Sequence, residues 1–257
     1  MVTELVVLPD KEAVAEEAAR RVVRRIEAAV GARGDCAVVL SGGETPRPLY
    51  VRLAQEPYRD RIPWHRVRLF WGDERCVPPT DPRSNYRMAW ETLLAHVPVP
   101  PDRVHRMPAE EEDLDAAAQA YEDVVASTVP RAPDGWPRFD LVLLGLGADG
   151  HTASLFPHSP VLREARRVVV AYRVPELDAW RMTLTPPALN HARDVLVLVA
   201  GREKAAALWG VLEGPRDPEA LPAQLIRPLD GDLTWIVDAD AASRLTRASL
   251  GAPPPPR

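Results

Sequence analysis

Short apolar runs alternate with helix-like segments along almost the whole chain, and this alternation constrains the fold more than any other feature. Strands that are buried on both faces are typically unbroken apolar runs, and the helices between them cover the faces of a parallel sheet. The runs that we predict as strands are Glu4 to Leu8, Cys36 to Leu40, Val67 to Trp71, Leu141 to Leu144, Val168 to Ala171, Met182 to Leu184, Val195 to Val199 and Thr234 to Val237. The pattern therefore predicts an α/β protein.

One helix is especially clear in the sequence. Apolar side chains recur every four residues from Val14 to Ile26, Asp10 can cap the start, and Gly31 lies just beyond the predicted end. The alternation continues with the same composition across the proline-rich loops. We therefore predict a single domain over 1–250, with a mainly parallel, Rossmann-like sheet covered by helices on both faces. Residues 251–257 are predicted to form a disordered, proline-rich tail.

The composition argues against several classes of protein. The 257 residues are 46% hydrophobic and 27% charged, and the formal net charge of −5 argues against a nucleic-acid partner. No stretch approaches the roughly 18 consecutive apolar residues of a membrane span, and the first residues lack the basic flank of a signal peptide. We therefore expect a cytoplasmic protein with no membrane partner. Cys36 and Cys76 match no metal or redox motif and are expected to be free thiols.

The segment GLGADGHTASLFP, residues 145–157, has the features of an active-site loop. It follows an apolar strand and carries Asp149 and His151. Its glycines also match the G-x-G-x-x-G pattern of dinucleotide-binding loops, which requires a sustained helix after the third glycine and an acidic residue about 20 positions further on. Pro157 and Pro160 would end such a helix early, and the next apolar run ends in arginine. The sequence therefore favours a histidine loop over a dinucleotide site.

A turn rich in glycine follows the second predicted strand. Gly42 and Gly43 let the backbone approach a ligand closely, and Thr45 is predicted to cap the helix that follows. Free N–H groups at a helix start attract anions, so this turn predicts a phosphate cradle, with an ordinary strand-to-helix turn as the alternative. Because Val39 stands where a nucleophile elbow needs glycine, Ser41 is interpreted as a ligand donor.

Charged residues follow the third predicted strand. Asp73, Glu74 and Arg75 lie at its carboxyl end, where parallel sheets place their ligand crevices. A salt bridge within a loop is the alternative interpretation. Three strands thus end in polar loops at what should be the same edge of one sheet. This convergence predicts one functional site at that edge.

Six motifs occur in order along the chain, and they resemble those of 6-phosphogluconolactonases. They are SGGETP from Ser41, GDER from Gly72, SNY from Ser84, the loop at 145–157, RMTLT from Arg181 together with Leu189-Asn190, and VAGREKA from Val199. The resemblance extends from about Leu5 to about Val237, and its DGHTASLFP segment is highly specific.

The resemblance implies hydrolysis of 6-phospho-D-glucono-1,5-lactone to 6-phosphogluconate, the second step of the oxidative pentose phosphate pathway. It also implies a single α/β domain related to sugar-phosphate isomerases and deaminases. Neither a cofactor nor a metal is expected, and the sequence has no Cys/His ligand cluster. The expected partner is the small phosphosugar lactone, and the expected state is a monomer or a weak homodimer.

The chemistry of a lactone suggests roles for three of these residues. A lactone is an ester, so water must lose a proton as it attacks the carbonyl, and a neutral imidazole suits that task. We predict that His151 is the general base and that Asp149 orients its ring. Arg75 is predicted to hold the oxyanion or the sugar hydroxyls.

The substrate's phosphate suggests a second group of residues. Gly42, Gly43 and Thr45 are predicted to form the cradle, and the resemblance adds Arg181 and Lys204 as its cationic partners. The other predicted substrate-binding residues are Ser41, Arg47, Asp73 and Asn85.

Two other functions are compatible with this fold. Glucosamine-6-phosphate deaminases have a loop that resembles DGHIAFNEP and use its glutamate, whereas Phe156 occupies that position here. Non-catalytic sugar-phosphate sensors share the fold and usually follow a helix-turn-helix. His151 and Arg75 together favour a lactonase over both alternatives.

Overall fold

The strands form two sheets in the computed structural model, which describes residues 4–246. The strands are β1 (Glu4–Leu8), β2 (Cys36–Leu40), β3 (Val67–Trp71), β4 (Asp73–Arg75), β5 (Leu141–Gly145), β6 (Val169–Val174), β7 (Ala179–Leu184), β8 (Asp194–Val199) and β9 (Asp232–Asp238). The proline-rich tail predicted at 251–257 lies outside the described residues, so its disorder stays a prediction.

The α-helices lie between these strands. They are α1 (Lys11–Arg33), α2 (Arg47–Leu53), α3 (Tyr58–Arg61), α4 (Asn85–Thr92), α5 (Leu114–Thr128), α6 (Pro186–Asn190) and α7 (Ala205–Leu212). Short 3-10 turns complete the connections. Within residues 4–246, no helix combines the length and the apolar composition needed to cross a bilayer.

The larger sheet is parallel throughout. Its strand order is β1-β9-β8-β5-β2-β3. All residues of β2 and β8 are buried, as expected for strands covered on both faces. The predicted α/β class with a mainly parallel sheet is confirmed. Because β5, β2 and β3 are neighbours, the polar loops that follow them meet at one sheet edge, as the sequence predicted.

A second, smaller sheet corrects part of the prediction. The runs predicted at 168–171 and 182–184 belong to β6 and β7, which pair antiparallel with each other and with β4 in a separate sheet. Strand β4 was not predicted because its sequence, Asp-Glu-Arg, has no apolar residue. The register places Arg75 opposite Arg181, so residues far apart in the sequence become neighbours.

Helix α1 follows the predicted pattern, but its end was predicted wrongly. Its buried face includes the apolar stripe from Val14 to Ile26, and Asp10 caps its start by accepting a hydrogen bond from the Ala13 N–H at 2.8 Å. The helix continues past Gly31 to Arg33. It ends at Gly34, which has a φ of 82° and donates its N–H to the Val30 carbonyl. The left-handed residue, rather than the first glycine, ends this helix.

The two glycines make a matched pair for a stability experiment. We predict that Gly34→Ala lowers the free energy of unfolding by about 1 kcal/mol, because its left-handed conformation disfavours a Cβ. Gly31→Ala should raise it by up to about 1 kcal/mol, because Gly31 lies inside the helix with open space around it. Urea unfolding followed by circular dichroism measures both. Equal changes in the free energy of unfolding would contradict the assignment of Gly34 as the residue that ends α1.

Candidate active site

A cavity of about 630 Å³ opens at the carboxyl edge of β5, β2 and β3. Nearly all of the predicted site residues line it. They are Ser41, Gly42, Gly43, Thr45, Asp73, Arg75, Asn85, Asp149, His151, Arg181 and Lys204. Arg47 does not line the cavity, and its guanidinium lies 3.3 Å from the Glu44 carboxylate in an ion pair on the surface.

Asp149 and His151 form a hydrogen-bonded pair in this cavity. The Nδ1 atom of His151 lies 2.5 Å from Oδ1 of Asp149, and the same oxygen accepts the His151 backbone N–H at 3.2 Å. Because an ionised carboxylate can only accept, the hydrogen bond assigns the proton to Nδ1 and leaves Nε2 with a free lone pair. The ring thus has the tautomer that a general base requires.

The surroundings keep the Asp149 carboxylate ionised and the His151 ring oriented. Burial acts to raise the pKa of Asp149, but the hydrogen bond and the charge of His151 outweigh it, so the pKa lies below its ordinary value. The His151 imidazole also stacks on the Phe156 ring, with centroids 4.4 Å apart and planes 29° apart. One carboxylate and one aromatic face therefore fix the position of the imidazole, whose side chain is 32% exposed.

Gly147 allows the Asp149–His151 dyad to lie against the loop backbone. A Cβ at this position would lie 2.0 Å from Nδ1 of His151 and 2.4 Å from Oδ1 of Asp149. The middle glycine of the G-x-G-x-x-G pattern therefore makes room for the side chains of Asp149 and His151.

We predict that Gly147→Ala lowers kcat by about 100-fold, because the imidazole must move away from the added methyl group. The clash involves side-chain atoms that can shift, so the variant should still fold. Steady-state lactone hydrolysis and thermal unfolding measure the two effects. Gly31→Ala, which has open space around it in α1, is the matched control. Wild-type kcat in Gly147→Ala would argue against the need for this dyad.

Asp73, another residue of the cavity lining, is held by a polar network. It is buried, and Oδ2 accepts the Ser154 hydroxyl at 2.6 Å. The Asn85 amide donates to the Asp73 carbonyl at 2.9 Å. Ser154 belongs to the histidine loop, so this network ties β4 to the loop after β5.

Two arginines face the cavity without a carboxylate partner among the described residues. Arg75 and Arg181 are directly opposed across β4 and β7, a placement of like charges that is unfavourable in an antiparallel pair. Burial and then the charge of Arg75 lower the pKa of Arg181. Each donates a hydrogen bond to a backbone carbonyl: Arg75 to that of Arg83, and Arg181 to that of Trp180. An anion bound between them would relieve this repulsion.

The glycine turn after β2 differs from its prediction in two details. Helix α2 begins after Pro46 without a side-chain cap, so Thr45 is not the N-cap and lines the cavity instead. A Cβ on Gly42 would lie 1.9 Å from Oδ1 of Asn85, so this glycine makes room for a neighbouring side chain. Gly43 has a φ of 92°, which favours glycine for conformational reasons.

Some cavity residues were not identified from the sequence. Ser154 and Phe156 line the cavity and contact site residues, yet a serine and a phenylalanine in a loop carry no spacing signal of their own. Both lie inside the specific DGHTASLFP segment, which was the available clue. Among residues 4–246, no three His, Cys, Asp or Glu side chains are grouped to hold a metal ion. The two cysteines are free.

Comparison with known families agrees with this geometry. A family model described as "Glucosamine-6-phosphate isomerases/6-phosphogluconolactonase" matches residues 9–235. The chain belongs to this family.

Relatives within the family cover nearly the whole chain. A 6-phosphogluconolactonase of Synechocystis is 42% identical over 246 residues, which are 95% of this chain and 99% of the relative. One from Streptomyces coelicolor is 42% identical over 95% of both chains. The solved structure of 6-phosphogluconolactonase from Trypanosoma brucei superposes with a TM-score of 0.82 at 32% identity, and covers 95% of this chain and 98% of that one. The family resemblance seen in the motifs is therefore confirmed.

Proposed function

We propose that this protein hydrolyses 6-phospho-D-glucono-1,5-lactone to 6-phospho-D-gluconate in the oxidative pentose phosphate pathway. The observation that carries the proposal is the Asp149–His151 dyad in a cavity that also contains Arg75, Arg181 and Lys204. A base for water and cations for a phosphate are what this reaction needs. The relatives named above are 6-phosphogluconolactonases, which further supports the proposal.

In the proposed mechanism, His151 acts first as a base and then as an acid. Its Nε2 takes a proton from water as the water oxygen bonds to the lactone carbonyl carbon, and the carbonyl electron pair moves onto oxygen. Arg75 stabilises that oxyanion. When the intermediate collapses, the bond to the ring oxygen breaks and that oxygen receives the proton from the imidazolium. Asp149 stabilises the charged ring between the two steps.

The phosphate is proposed to bind in the same cavity, beside the glycine turn that follows β2. Arg181 and Lys204 supply positive charge, and Gly42, Gly43 and Thr45 supply the turn that surrounds it. Each charge-assisted contact is worth about 1.5 to 3 kcal/mol. Ser41, Asp73 and Asn85 are proposed to contact the sugar. Arg47 lies outside the cavity lining, so we propose no direct role for it.

We predict that Lys204→Met raises KM for the phosphorylated lactone about tenfold or more with little change in kcat, because the lost contact exists in ground and transition states alike. KM for unphosphorylated gluconolactone should not change. Steady-state kinetics on both substrates measures this. Arg202→Met is the matched control, because Arg202 is exposed and pairs with Asp240. Equal changes in KM for the two lactones would contradict a contact between Lys204 and the phosphate.

The proposal as a whole is tested with lactone generated in situ. We expect acid release well above the spontaneous rate, measured by pH-stat with purified protein. Ammonia release from glucosamine 6-phosphate without lactone turnover would select the deaminase instead. That reaction is disfavoured here because Phe156 stands where the deaminase loop has glutamate.

The cellular location and the oligomeric state of the protein are also proposals. We propose a cytoplasmic enzyme that acts as a monomer or a weak homodimer, with no nucleic-acid partner. The net charge of −5 supports the last point. Gel filtration over a range of protein concentrations tests the oligomeric state.

A further inference from the structure

Glu74 is a buried carboxylate that the proposed mechanism does not use. It is 3% exposed and does not line the cavity. Its Oε1 accepts the backbone N–H groups of Arg75 at 2.8 Å and Asn85 at 2.7 Å, and its Oε2 accepts the Tyr86 N–H at 2.8 Å and the Ser84 hydroxyl at 3.0 Å. It has no ion-pair partner among the described residues. The four hydrogen bonds and the N-terminus of α4 therefore stabilise the negative charge of the Glu74 carboxylate.

These four bonds determine where two cavity residues lie. Ser84 caps α4, Asn85 and Tyr86 are its first two residues, and the Asn85 amide donates to the Asp73 carbonyl in the cavity wall. The preceding carbonyl, that of Arg83, accepts Nη1 of Arg75 at 2.5 Å. The direction of the Arg75 guanidinium thus depends on a carbonyl next to the segment that Glu74 holds.

We infer that Glu74 is a positioning residue, which aims the Arg75 guanidinium and the Asn85 amide into the cavity. The inference rests on the proposed function for the role of Arg75. Only a carboxylate fits this place, because all four surrounding groups are donors and each of its oxygens receives two of them. In either orientation of its amide, a glutamine would turn N–H groups toward at least one backbone N–H, which would then lose its acceptor. Burial raises the pKa of Glu74, and the hydrogen bonds from Asn85, Tyr86 and Arg75 oppose that effect.

A purely structural role would make Glu74 a helix cap and nothing more. In that case its loss would lower stability and leave the kcat of the folded protein unchanged. A double-mutant cycle separates the two roles. It compares kcat for wild type, Glu74→Gln, Arg75→Met and the double variant, at a temperature where all are folded.

We expect Glu74→Gln to lower kcat about 10- to 100-fold, as for a misplaced catalytic group. In the Arg75→Met background the same substitution should change kcat by less than about twofold, because Arg75 is then absent and the loss of the proposed sugar contact of Asn85 should appear in KM. Asp10→Ala is the control, since Asp10 caps α1 outside the cavity lining. It should lower the melting temperature and leave kcat unchanged.

Two results would overturn the inference: wild-type kcat in folded Glu74→Gln, or an equal loss in both backgrounds. If Glu74→Gln does not fold, Ser84→Ala removes one of the four donors, and its smaller loss of kcat should also vanish in the Arg75→Met background. Absence of lactone turnover by the wild type would instead refute the proposed function. A crystal structure of Glu74→Gln, or of Ser84→Ala if Glu74→Gln does not fold, then decides the inference. It should show the Arg75 to Arg83 hydrogen bond lost, and its retention would overturn the inference.

Discussion

Replacing His151 by alanine is expected to lower kcat for the phosphorylated lactone by about 10² to 10⁴, the usual contribution of a general base. KM should change little, because the cations that bind the phosphate remain. The protein should stay folded, since the imidazole is partly exposed and lies at a cavity wall. Initial rates above spontaneous hydrolysis measure the effect.

His65→Ala is the control for this experiment. His65 is exposed and lies outside the lining of the cavity. It should keep wild-type kinetics. A His151→Ala variant that retains full kcat would mean that water is activated by another group.

Replacing Asp149 by asparagine is expected to lower kcat by a similar factor, about 10² to 10⁴. The asparagine is nearly the same size, but it no longer stabilises the imidazolium. Its amide N–H can also favour the tautomer that has the proton on Nε2, which cannot accept a proton from water. Steady-state kinetics measures kcat, and thermal unfolding checks the fold.

The chain contains a second Asp–His pair that serves as the matched control. His191 Nε2 lies 2.8 Å from Oδ2 of Asp134, outside the cavity lining. Asp134→Asn should therefore leave kcat unchanged. Equal kinetics for Asp149→Asn and wild type would show that the carboxylate is not needed to orient the ring.

Part of this site could be predicted from the sequence because it depends on local pattern. Asp149 and His151 lie two residues apart in one loop, so their pairing needs no long-range contact. The loops after β2, β3 and β5 meet because parallel strands that are neighbours end at the same edge. Apolar runs and glycine turns in the sequence were sufficient to locate these three loops.

Other features depend on contacts between distant segments. Arg75 meets Arg181 through a small antiparallel sheet, and one of its strands has no apolar residue to reveal it. Gly42 is required by the side chain of Asn85, which no local pattern connects with it. The end of α1 depended on which of two glycines adopts a left-handed conformation.

The pH dependence of kcat at saturating phosphorylated lactone, for wild type and His151→Gln, tests the central claim most directly. Our account predicts that the wild-type kcat falls toward acidic pH, because a protonated imidazole cannot accept a proton from water. In His151→Gln that limb should vanish along with most of the activity. Equal rates for the two proteins across the whole pH range would contradict the account.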